Sequence, residues 1–387
     1  MNKIPYGRQD ISEEDIKSVV DVLRSDFLTQ GPVIEQFESA LSLYCGARHA
    51  VVVSNATAAL HLACLALDVK PGDLVWTSPN TFVASSNCAL YVGANIDFVD
   101  IDPQTYNMSV DRLSEKLKEA EKKGRLPKVV IPVHHSGESC DMESIKALSL
   151  KYGFKIIEDA SHAVGGSYKS KKVGSCEFSD ITVFSFHPVK IITTGEGGMV
   201  LTNDKNIYEK LFRLRTHGIT RDQRLMTKPT EGPWYYQQID LGFNYRMTDI
   251  QAVLGLSQFS RLDSFIEKRH KIAQKYNAEL KSLPLTLPIQ TNAAYSALHL
   301  YVVRLKLNEI KKSQRQVFES LHERGVLVNL HYIPVHLQPY YEKLGFKKGQ
   351  FPEAEKYYGE AISLPMYSRL TEPDQNRVIS ELKEILK

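Results

Sequence analysis

The sequence predicts an α/β protein in which a large, doubly wound, mostly parallel sheet precedes a smaller C-terminal α+β domain. Three observations support this prediction. Short β-branched segments alternate with segments of helical spacing over the first two-thirds of the chain. The alternation stops near residue 250, where a long amphipathic segment begins. At 387 residues the chain exceeds one small core, so we predict domains at 1–250 and 251–387.

The elements of the first domain follow from this alternation. The predicted strands are "HAVVVS", "DLVWTS", "IDFVDID", "KVVIPVH", "FKIIEDAS" and "DITVFSFH". The predicted helices are "NATAALHLACLALDV", "TFVASSNCALYVG", "SVDRLSEKLKEAEKKG" and "MESIKALSLKYG". Alternation of this kind favours a parallel sheet covered on both faces, with ligands bound beyond the carboxyl ends of the strands. Polar residues that follow "FKII" and "ITVFSF" are therefore expected near a site.

The second domain begins with "DIQAVLGLSQFSRLDSFIEKRHKIAQKYNAELKSL", which predicts one long amphipathic helix with a bend expected near Ser260. A strand, a helix and a second strand are predicted in "HLYVVRLKL", "SQRQVFESLHERG" and "VLVNLHYIPVH". A final helix is predicted in "PDQNRVISELKEILK". These elements predict a small α+β domain attached to a long helix.

Charge and cysteine usage exclude several classes of function. With 48 basic and 45 acidic residues the net charge is only +3, which argues against nucleic acid as a partner. The five cysteines form no C-x-x-C pair, which is typical of reduced thiols in a cytoplasmic protein. An apolar signal core and a run long enough to cross a bilayer are both absent from the sequence. We expect a soluble, cytoplasmic protein with no membrane partner and no metal.

Three short motifs carry residue types used in catalysis, and each also has a plain structural explanation. In "SNATAAL", free N–H groups at a helix start suit a phosphate, although capping by Ser54 or Asn55 is the more common explanation. In "IIEDASHAVG", Asp159 follows an apolar strand and needs a cation or donors as partners, unless it is a capping aspartate. Lys190 ends "VFSFHPVK" before a glycine-rich loop, either as a surface lysine or as an amine that forms an imine.

Together the three motifs supply what pyridoxal 5'-phosphate requires. A phosphate site anchors the coenzyme, a carboxylate keeps its ring nitrogen protonated, and a lysine forms the imine and later moves the proton. Phe82 in "NTFVAS" is an aromatic that could stack on the ring, although a core phenylalanine explains it equally well.

Nearly the whole chain resembles the fold-type I, aspartate-aminotransferase-like sugar aminotransferases of the DegT/DnrJ/EryC1/StrS type, which depend on pyridoxal phosphate. The resemblance is carried by "FLTQGPVIEQFE", "SNATAALHLA", "TSPNTFVASSNCALYVGA", "VIPVHHSGESCDM", "IIEDASHAVGG", "FSFHPVKIITTGEGGMVLTND", "LGFNYRMTDIQAVLGLSQ" and "HYIPVHLQPYY". It implies that Lys190 is the Schiff-base lysine, that Asp159 pairs with the pyridine nitrogen and that Phe82 stacks on the ring.

The same resemblance implies the remaining coenzyme contacts. Ala56 and Thr57 correspond to the phosphate-binding turn, and Ser185 adds a hydroxyl. His162 lies where several relatives carry a glutamine near the hydroxyl edge of the coenzyme. Asn244 corresponds to a residue that reaches the phosphate of the other subunit, which implies a homodimer with shared active sites.

Within that family, segments such as "EGPWYYQQIDLGFNYRMTDIQ" most resemble the C4 transaminases of pseudaminic-acid synthesis. These form UDP-4-amino-4,6-dideoxy-N-acetyl-β-L-altrosamine from a UDP-linked 4-keto-6-deoxy-hexosamine, with L-glutamate as donor. A C3 or C4 aminotransferase for another dTDP- or UDP-linked keto-sugar is one alternative, and a non-catalytic regulatory relative is another. The candidates for sugar or nucleotide contacts are Tyr332, His336, Tyr340, Arg246 and Arg8.

Overall fold

The computed structural model describes residues 3–387, so Met1 and Asn2, where the predicted first domain begins, lie outside the described residues. Its strands are β1 (Ile4–Pro5), β2 (His49–Val53), β3 (Leu74–Thr77), β4 (Asn95–Phe98), β5 (Val129–Ile131), β6 (Lys155–Asp159), β7 (Ser167–Tyr168), β8 (Lys171–Lys172), β9 (Ile181–Ser185), β10 (Gly198–Thr202), β11 (Ile219–Thr220), β12 (Gln237–Gln238), β13 (Leu285–Thr286), β14 (Ala294–Tyr295), β15 (Tyr301–Leu305), β16 (Val326–Leu327) and β17 (Ala361–Leu364). Its α-helices are α1 (Glu13–Leu23), α2 (Pro32–Cys45), α3 (Ala56–Ala66), α4 (Ala84–Tyr91), α5 (Val110–Lys122), α6 (Met142–Tyr152), α7 (Lys205–Arg215), α8 (Asp249–Phe259), α9 (Leu262–Leu280), α10 (Gln314–Glu323), α11 (Pro339–Glu342), α12 (Pro352–Glu360) and α13 (Glu372–Ile385).

The main sheet has the strand order β2-β10-β9-β6-β5-β3-β4. The pairs from β9 to β4 are parallel, whereas β10 runs antiparallel to both β2 and β9. The prediction of a mostly parallel α/β sheet is therefore confirmed. Strand β10 was not predicted, because it follows a glycine-rich loop and its short apolar run "GMVLT" carries no strand alternation of its own.

Helix α3 determines where the ligand-binding edge of the sheet lies. It is apolar on nearly all sides and is buried against α4 and α7 and against β9 and β10. The side chain of Asn55 caps it by accepting the N–H of Ala58 at 2.8 Å. The helix therefore begins directly beyond the end of β2, with its N-terminus at the carboxyl edge of the parallel strands.

The long helix predicted after residue 250 consists of two helices, α8 and α9, that are separated at Ser260 and Arg261. Ser260 turns its hydroxyl back to the carbonyl of Ser257 at 2.7 Å, and Arg261 binds Asp10 and Asp15 near α1. The change of direction was expected near Ser260, but the prediction of one long helix is wrong, because the two segments are separate helices.

The prediction of a strand in "VLVNLHYIPVH" is wrong beyond its first residues. Only Val326–Leu327 is a strand, and it pairs in parallel with Ile4–Pro5. The place beside β15 in the small antiparallel sheet is taken by β17, which was not predicted. The apolar pattern of this segment reflects the burial of Val326, Val328 and Val335, while the backbone between them runs irregularly along the site.

One apolar cluster packs against the main sheet, and a separate one lies in the C-terminal part of the chain. The C-terminal cluster draws on residues 272–385 and also includes Ile4. Leu300 and Val302 of the C-terminal part, in contrast, pack in the cluster of the main sheet. The domain boundary at residue 250 stays a prediction. Across residues 3–387, no helix combines the length and apolar character that crossing a membrane requires.

Candidate active site

A cavity of about 1050 Å³ opens at the carboxyl edge of the main sheet. The last residue of β6, Asp159, and the last residue of β9, Ser185, line it together with the N-terminus of α3. Lys190, on the turn that follows β9, lines the same cavity. Parallel strands that end at one edge bring these residues together, as expected for a doubly wound sheet.

Asp159 is buried and surrounded by donors. Its Oδ2 accepts the hydroxyl of Ser85 at 2.6 Å, and its Oδ1 accepts the hydroxyl of Ser161 at 2.6 Å and the backbone N–H of Ser161 at 3.1 Å. Among the described residues, no lysine or arginine forms an ion pair with it. Because a carboxylate has about four lone-pair positions, one remains for a donor in the cavity.

The amine of Lys190 lies in an environment that favours its neutral form. The backbone N–H of Lys190 donates to the carbonyl of His187 at 2.8 Å, which fixes the turn after β9. Burial lowers the pKa of the Lys190 amine to about 8, while the negative charge of Asp159 opposes that shift. Roughly a tenth of such amines are neutral at pH 7, which is enough to supply a nucleophile.

The N-terminus of α3 forms an anion site in backbone atoms. Within the described part of the chain, the N–H groups of Ala56 and Thr57 have no hydrogen-bond partner, while that of Ala58 is capped by Asn55. Gly198 of β10 approaches this turn so closely that a Cβ there would lie 2.6 Å from the carbonyl carbon of Asn55. A residue with a side chain at position 198 would therefore collide with this turn. The free N–H groups of the turn are suited to binding a phosphate group.

Imidazoles form one wall of the cavity. The Nε2 of His162 lies 3.0 Å from the hydroxyl of Tyr332, and its ring centroid lies 4.5 Å from that of His299. Burial lowers the pKa of His162 and of His299, and the nearby positive charge of Lys190 lowers both further. These rings are therefore neutral near pH 7 and serve as hydrogen-bonding groups rather than as cations.

Phe82 also lines the cavity, and 57% of its surface is exposed. That exposure excludes the alternative of a core phenylalanine. Its ring lies at the mouth, with its centroid 6.1 Å from that of Tyr332. A planar ligand ring could stack on it.

Several predicted residues do not line the cavity. His336 is buried and its Nε2 bonds to Glu355 at 2.9 Å. Arg8 and Tyr340 are exposed, and Arg246 is half-buried beside the lining residue Tyr245. Asn244 is exposed too, on the segment that pairs with Thr216, so its side chain is free to meet another subunit.

Sequence reasoning missed some of the lining residues. Ser161 carried a signal, since a serine two residues after an aspartate commonly bonds back to it. Ser85, His299 and His331 carried none, because tertiary packing brings them to the cavity from distant segments.

We expect Ser161→Ala to lower the catalytic rate about tenfold, because it removes a charge-assisted hydrogen bond from Asp159. Ser144→Ala is the matched control, since Ser144 makes the same kind of bond to Asp141 on an exposed helix. Steady-state kinetics of both variants provide the measurement. Equal rates for the two variants would show that the Ser161 bond is unimportant for the function of Asp159.

Comparison with known proteins agrees with this geometry. SpsC, a spore coat polysaccharide biosynthesis protein of Bacillus subtilis, is 38% identical over 387 residues, covering 99% of this chain and 97% of the relative. The UDP-4-amino-4,6-dideoxy-N-acetyl-β-L-altrosamine transaminase of Campylobacter jejuni is 37% identical over 385 residues, with the same coverage.

Among solved structures, PseC of Helicobacter pylori, an aminotransferase involved in the biosynthesis of pseudoaminic acid, has a TM-score of 0.90. It is 31% identical, with 100% of this chain and 99% of PseC covered. The PLP form of Spr1654, a putative sugar aminotransferase of Streptococcus pneumoniae, has a TM-score of 0.87 at 30% identity and full coverage of both chains. Residues 9–383 match the model of the DegT/DnrJ/EryC1/StrS aminotransferase family. The chain belongs to the DegT/DnrJ/EryC1/StrS aminotransferase family and is a sugar aminotransferase.

Proposed function

We propose that the protein transfers the amino group of L-glutamate to C4 of a UDP-linked 4-keto-6-deoxy-N-acetylhexosamine, with pyridoxal 5'-phosphate as coenzyme. The product would be UDP-4-amino-4,6-dideoxy-N-acetyl-β-L-altrosamine, a precursor of pseudaminic acid. One observation carries the proposal: Lys190, Asp159 and the free N-terminus of α3 face a single cavity.

The residues present fit this coenzyme. The uncapped N–H groups of Ala56 and Thr57, beside Ser185, would hold its phosphate. The remaining lone pair of Asp159 would accept a ring N–H, and exposed Phe82 would cover the ring. A cavity of about 1050 Å³ leaves room for a nucleotide-linked sugar beside it.

Bound pyridoxal phosphate supplies a carbonyl carbon that exchanges amino groups and a ring that withdraws electrons. The amine of Lys190 would anchor this group and would also hold and move the proton at the reacting carbon, for which a pKa of about 8 is well matched. Asp159 would keep a proton on the ring nitrogen of the bound coenzyme. His162 and Tyr332 would orient the hydroxyl edge from the imidazole wall.

Support for the particular sugar comes from the transaminase of C. jejuni and from PseC. SpsC, at 38% identity, is equally similar and is named for the synthesis of a spore coat polysaccharide. The second candidate is therefore a C3 or C4 aminotransferase for another dTDP- or UDP-linked keto-sugar. Tyr332 is the proposed sugar-site residue that lines the cavity, whereas His336, Arg246 and Arg8 could act only from outside its lining.

An aminotransfer assay tests the proposal. A panel of UDP- and dTDP-linked 4-keto and 3-keto sugars is incubated with L-glutamate, and the products are identified by mass and proton spectra. We expect the highest kcat/KM for the UDP-linked 4-keto-6-deoxy-N-acetylhexosamine of L-arabino configuration. A tenfold preference for any other sugar would replace the pseudaminic assignment with the second candidate.

The pKa of Lys190 predicts how coenzyme uptake depends on pH. Only the neutral amine can attack the coenzyme, and its fraction rises as pH increases through about 8. We therefore expect the rate at which the coenzyme-free protein takes up pyridoxal phosphate to rise with pH, with its midpoint near 8, and then to level off. Stopped-flow absorbance gives the rate, and a midpoint above 10 would show that the amine is an ordinary exposed lysine.

We also propose that the protein acts as a homodimer in which Asn244 reaches the phosphate in the partner's site. In that case each site uses Lys190 of one protomer and Asn244 of the other. A dimer of one Lys190→Ala protomer and one Asn244→Ala protomer then carries both changes in the same site, and its second site is intact. We expect a refolded equimolar mixture to regain about a quarter of the wild-type activity. Activity no higher than the mean of the separate variants would contradict shared sites.

A further inference from the structure

A second cavity, of about 20 Å³, is lined by His135, whose ring centroid lies 6.2 Å from that of the active-site residue His162. Its lining includes His135, Ser136 and Glu138 of the turn after β5, together with Ser296. Within residues 3–387, His135 Nδ1, Ser136 Oγ and Glu138 Oε2 are buried and have no hydrogen-bond partner. Three such atoms at one small cavity are unusual, because buried polar atoms are nearly always paired.

The proton on His135 can be assigned from its neighbours. The hydroxyl of Tyr357 lies 2.9 Å from the carbonyl oxygen of His331 and must donate its single proton there. The Nε2 of His135 lies 2.9 Å from the same hydroxyl, so it must carry a proton and donate. Burial lowers the pKa of His135 to about 3, so the ring is neutral. The Nδ1 of His135, a residue that lines the cavity, is therefore an acceptor without a donor.

Glu138 supplies a second acceptor. Its Oε1 accepts the N–H of Thr291 at 2.9 Å and the Thr291 hydroxyl at 2.7 Å, which leaves Oε2 for the cavity. Burial raises the pKa of Glu138, while the two Thr291 bonds, the nearby His134 and the hydroxyl of Ser296 oppose the rise. The hydroxyl of Ser136 adds a donor, whereas the hydroxyl of Ser296, whose oxygen accepts the N–H of Leu298, is directed to Glu138 itself.

We propose that one water molecule occupies this cavity and that Glu138, acting through it, positions the part of the active-site wall formed by His331 and Tyr332. The water would donate to His135 Nδ1 and Glu138 Oε2 and accept from Ser136. A single water needs about 10–15 Å³, which the cavity provides. A metal ion fits poorly, because the described residues include no group of three or more metal-ligating side chains.

The connection to the active site runs through four hydrogen bonds. Glu138 holds the water, the water holds His135, His135 donates to Tyr357, and Tyr357 donates to the carbonyl of His331. The next residue, Tyr332, bonds to His162 at 3.0 Å. Glu138 is thus a positioning residue. Its importance for the reaction rests on the proposed function, whereas the water site does not.

The water site is tested by a crystal structure of the coenzyme-loaded protein. We expect one solvent peak within about 3.2 Å of all three unpaired atoms. An empty cavity would overturn the proposal, and so would a peak with five or more oxygen ligands whose density changes when sodium is replaced by potassium.

The positioning role is tested with Glu138→Gln, which keeps an oxygen for Thr291 but turns a donor toward the cavity. We expect the water to move, the distance between Tyr332 Oη and His162 Nε2 to grow by about 0.5 Å, and kcat/KM to fall about tenfold. Glu121→Gln, on the exposed side of α5, is the control.

A variant that has a lower Tm but keeps the Tyr332–His162 distance and kcat/KM within twofold would overturn the positioning role. The distance is read from crystals without substrate. It therefore stands apart from the sugar panel: failure of every keto-sugar would end the proposed function and leave this geometric result in place.

Discussion

Lys190→Ala is expected to abolish amino transfer, with a loss of at least about a thousandfold. The substitution removes both the anchor for the coenzyme and the group that moves the proton, and general acid–base catalysis alone contributes 10²–10⁴-fold. The visible absorbance that arises when a lysine binds the coenzyme should disappear as well. Folding should be nearly unaffected, because the amine makes no ion pair with the residues described and its stem lies on a turn at the cavity edge.

Lys116→Ala is the matched control for this experiment. Burial also lowers the pKa of Lys116, but its amine pairs with Asp97 at 2.7 Å, away from the cavity. We expect the control to keep its absorbance and rate and to lose some stability. Small primary amines added to Lys190→Ala should restore part of the rate by moving the proton from solution. A fully active Lys190→Ala variant would end the aminotransferase mechanism for this cavity.

The meeting of Asp159 and Lys190 at one cavity was predictable because the relevant information is local. Asp159 and Lys190 each follow an apolar strand, and in a parallel sheet the ends of such strands meet at one edge. The resemblance to a known family added the ring-stacking role of Phe82, which the residue pattern alone left open. The exposure of that ring agrees with this role and not with a core position.

Other residues of the site could not be predicted from the local sequence pattern. Ser85 reaches Asp159 from α4, and His299 and His331 come from the C-terminal part of the chain. Their positions depend on tertiary packing, which leaves no periodic signal in the sequence. The same limit explains why the strand predicted to continue beyond residue 327 is wrong. Alternating apolar residues there indicated burial correctly, but the sheet position was filled by β17, a segment more than thirty residues further along.

Glu158 and Asp159 offer a comparison between two neighbouring buried carboxylates that end one strand. Glu158 points to the opposite face from Asp159, where it bonds to His134 at 2.8 Å and to the hydroxyls of Ser179 and Thr182. Glu158 is not among the described residues that line the cavity. Loss of charge at Glu158 should therefore lower the Tm, whereas loss of charge at Asp159 should lower the rate of amino transfer.

Asp159→Asn is expected to lower amino transfer at least about a hundredfold while the protein stays folded. An amide cannot hold a proton on the ring nitrogen, so the ring would no longer stabilise the negative charge that develops at the reacting carbon. Folding should survive because the amide oxygen can keep both bonds from Ser161. The amide NH₂ can donate to the hydroxyl of Ser85, and the proton of Ser85 can then be donated to Thr81, 2.7 Å away.

Single-turnover absorbance with L-glutamate measures the first half-reaction, and thermal unfolding measures stability. Glu158→Gln should show the reverse pattern, a lower Tm with a rate within a few-fold of wild type. Equal loss of rate in both variants would mean that a buried charge at the strand end is needed for folding alone.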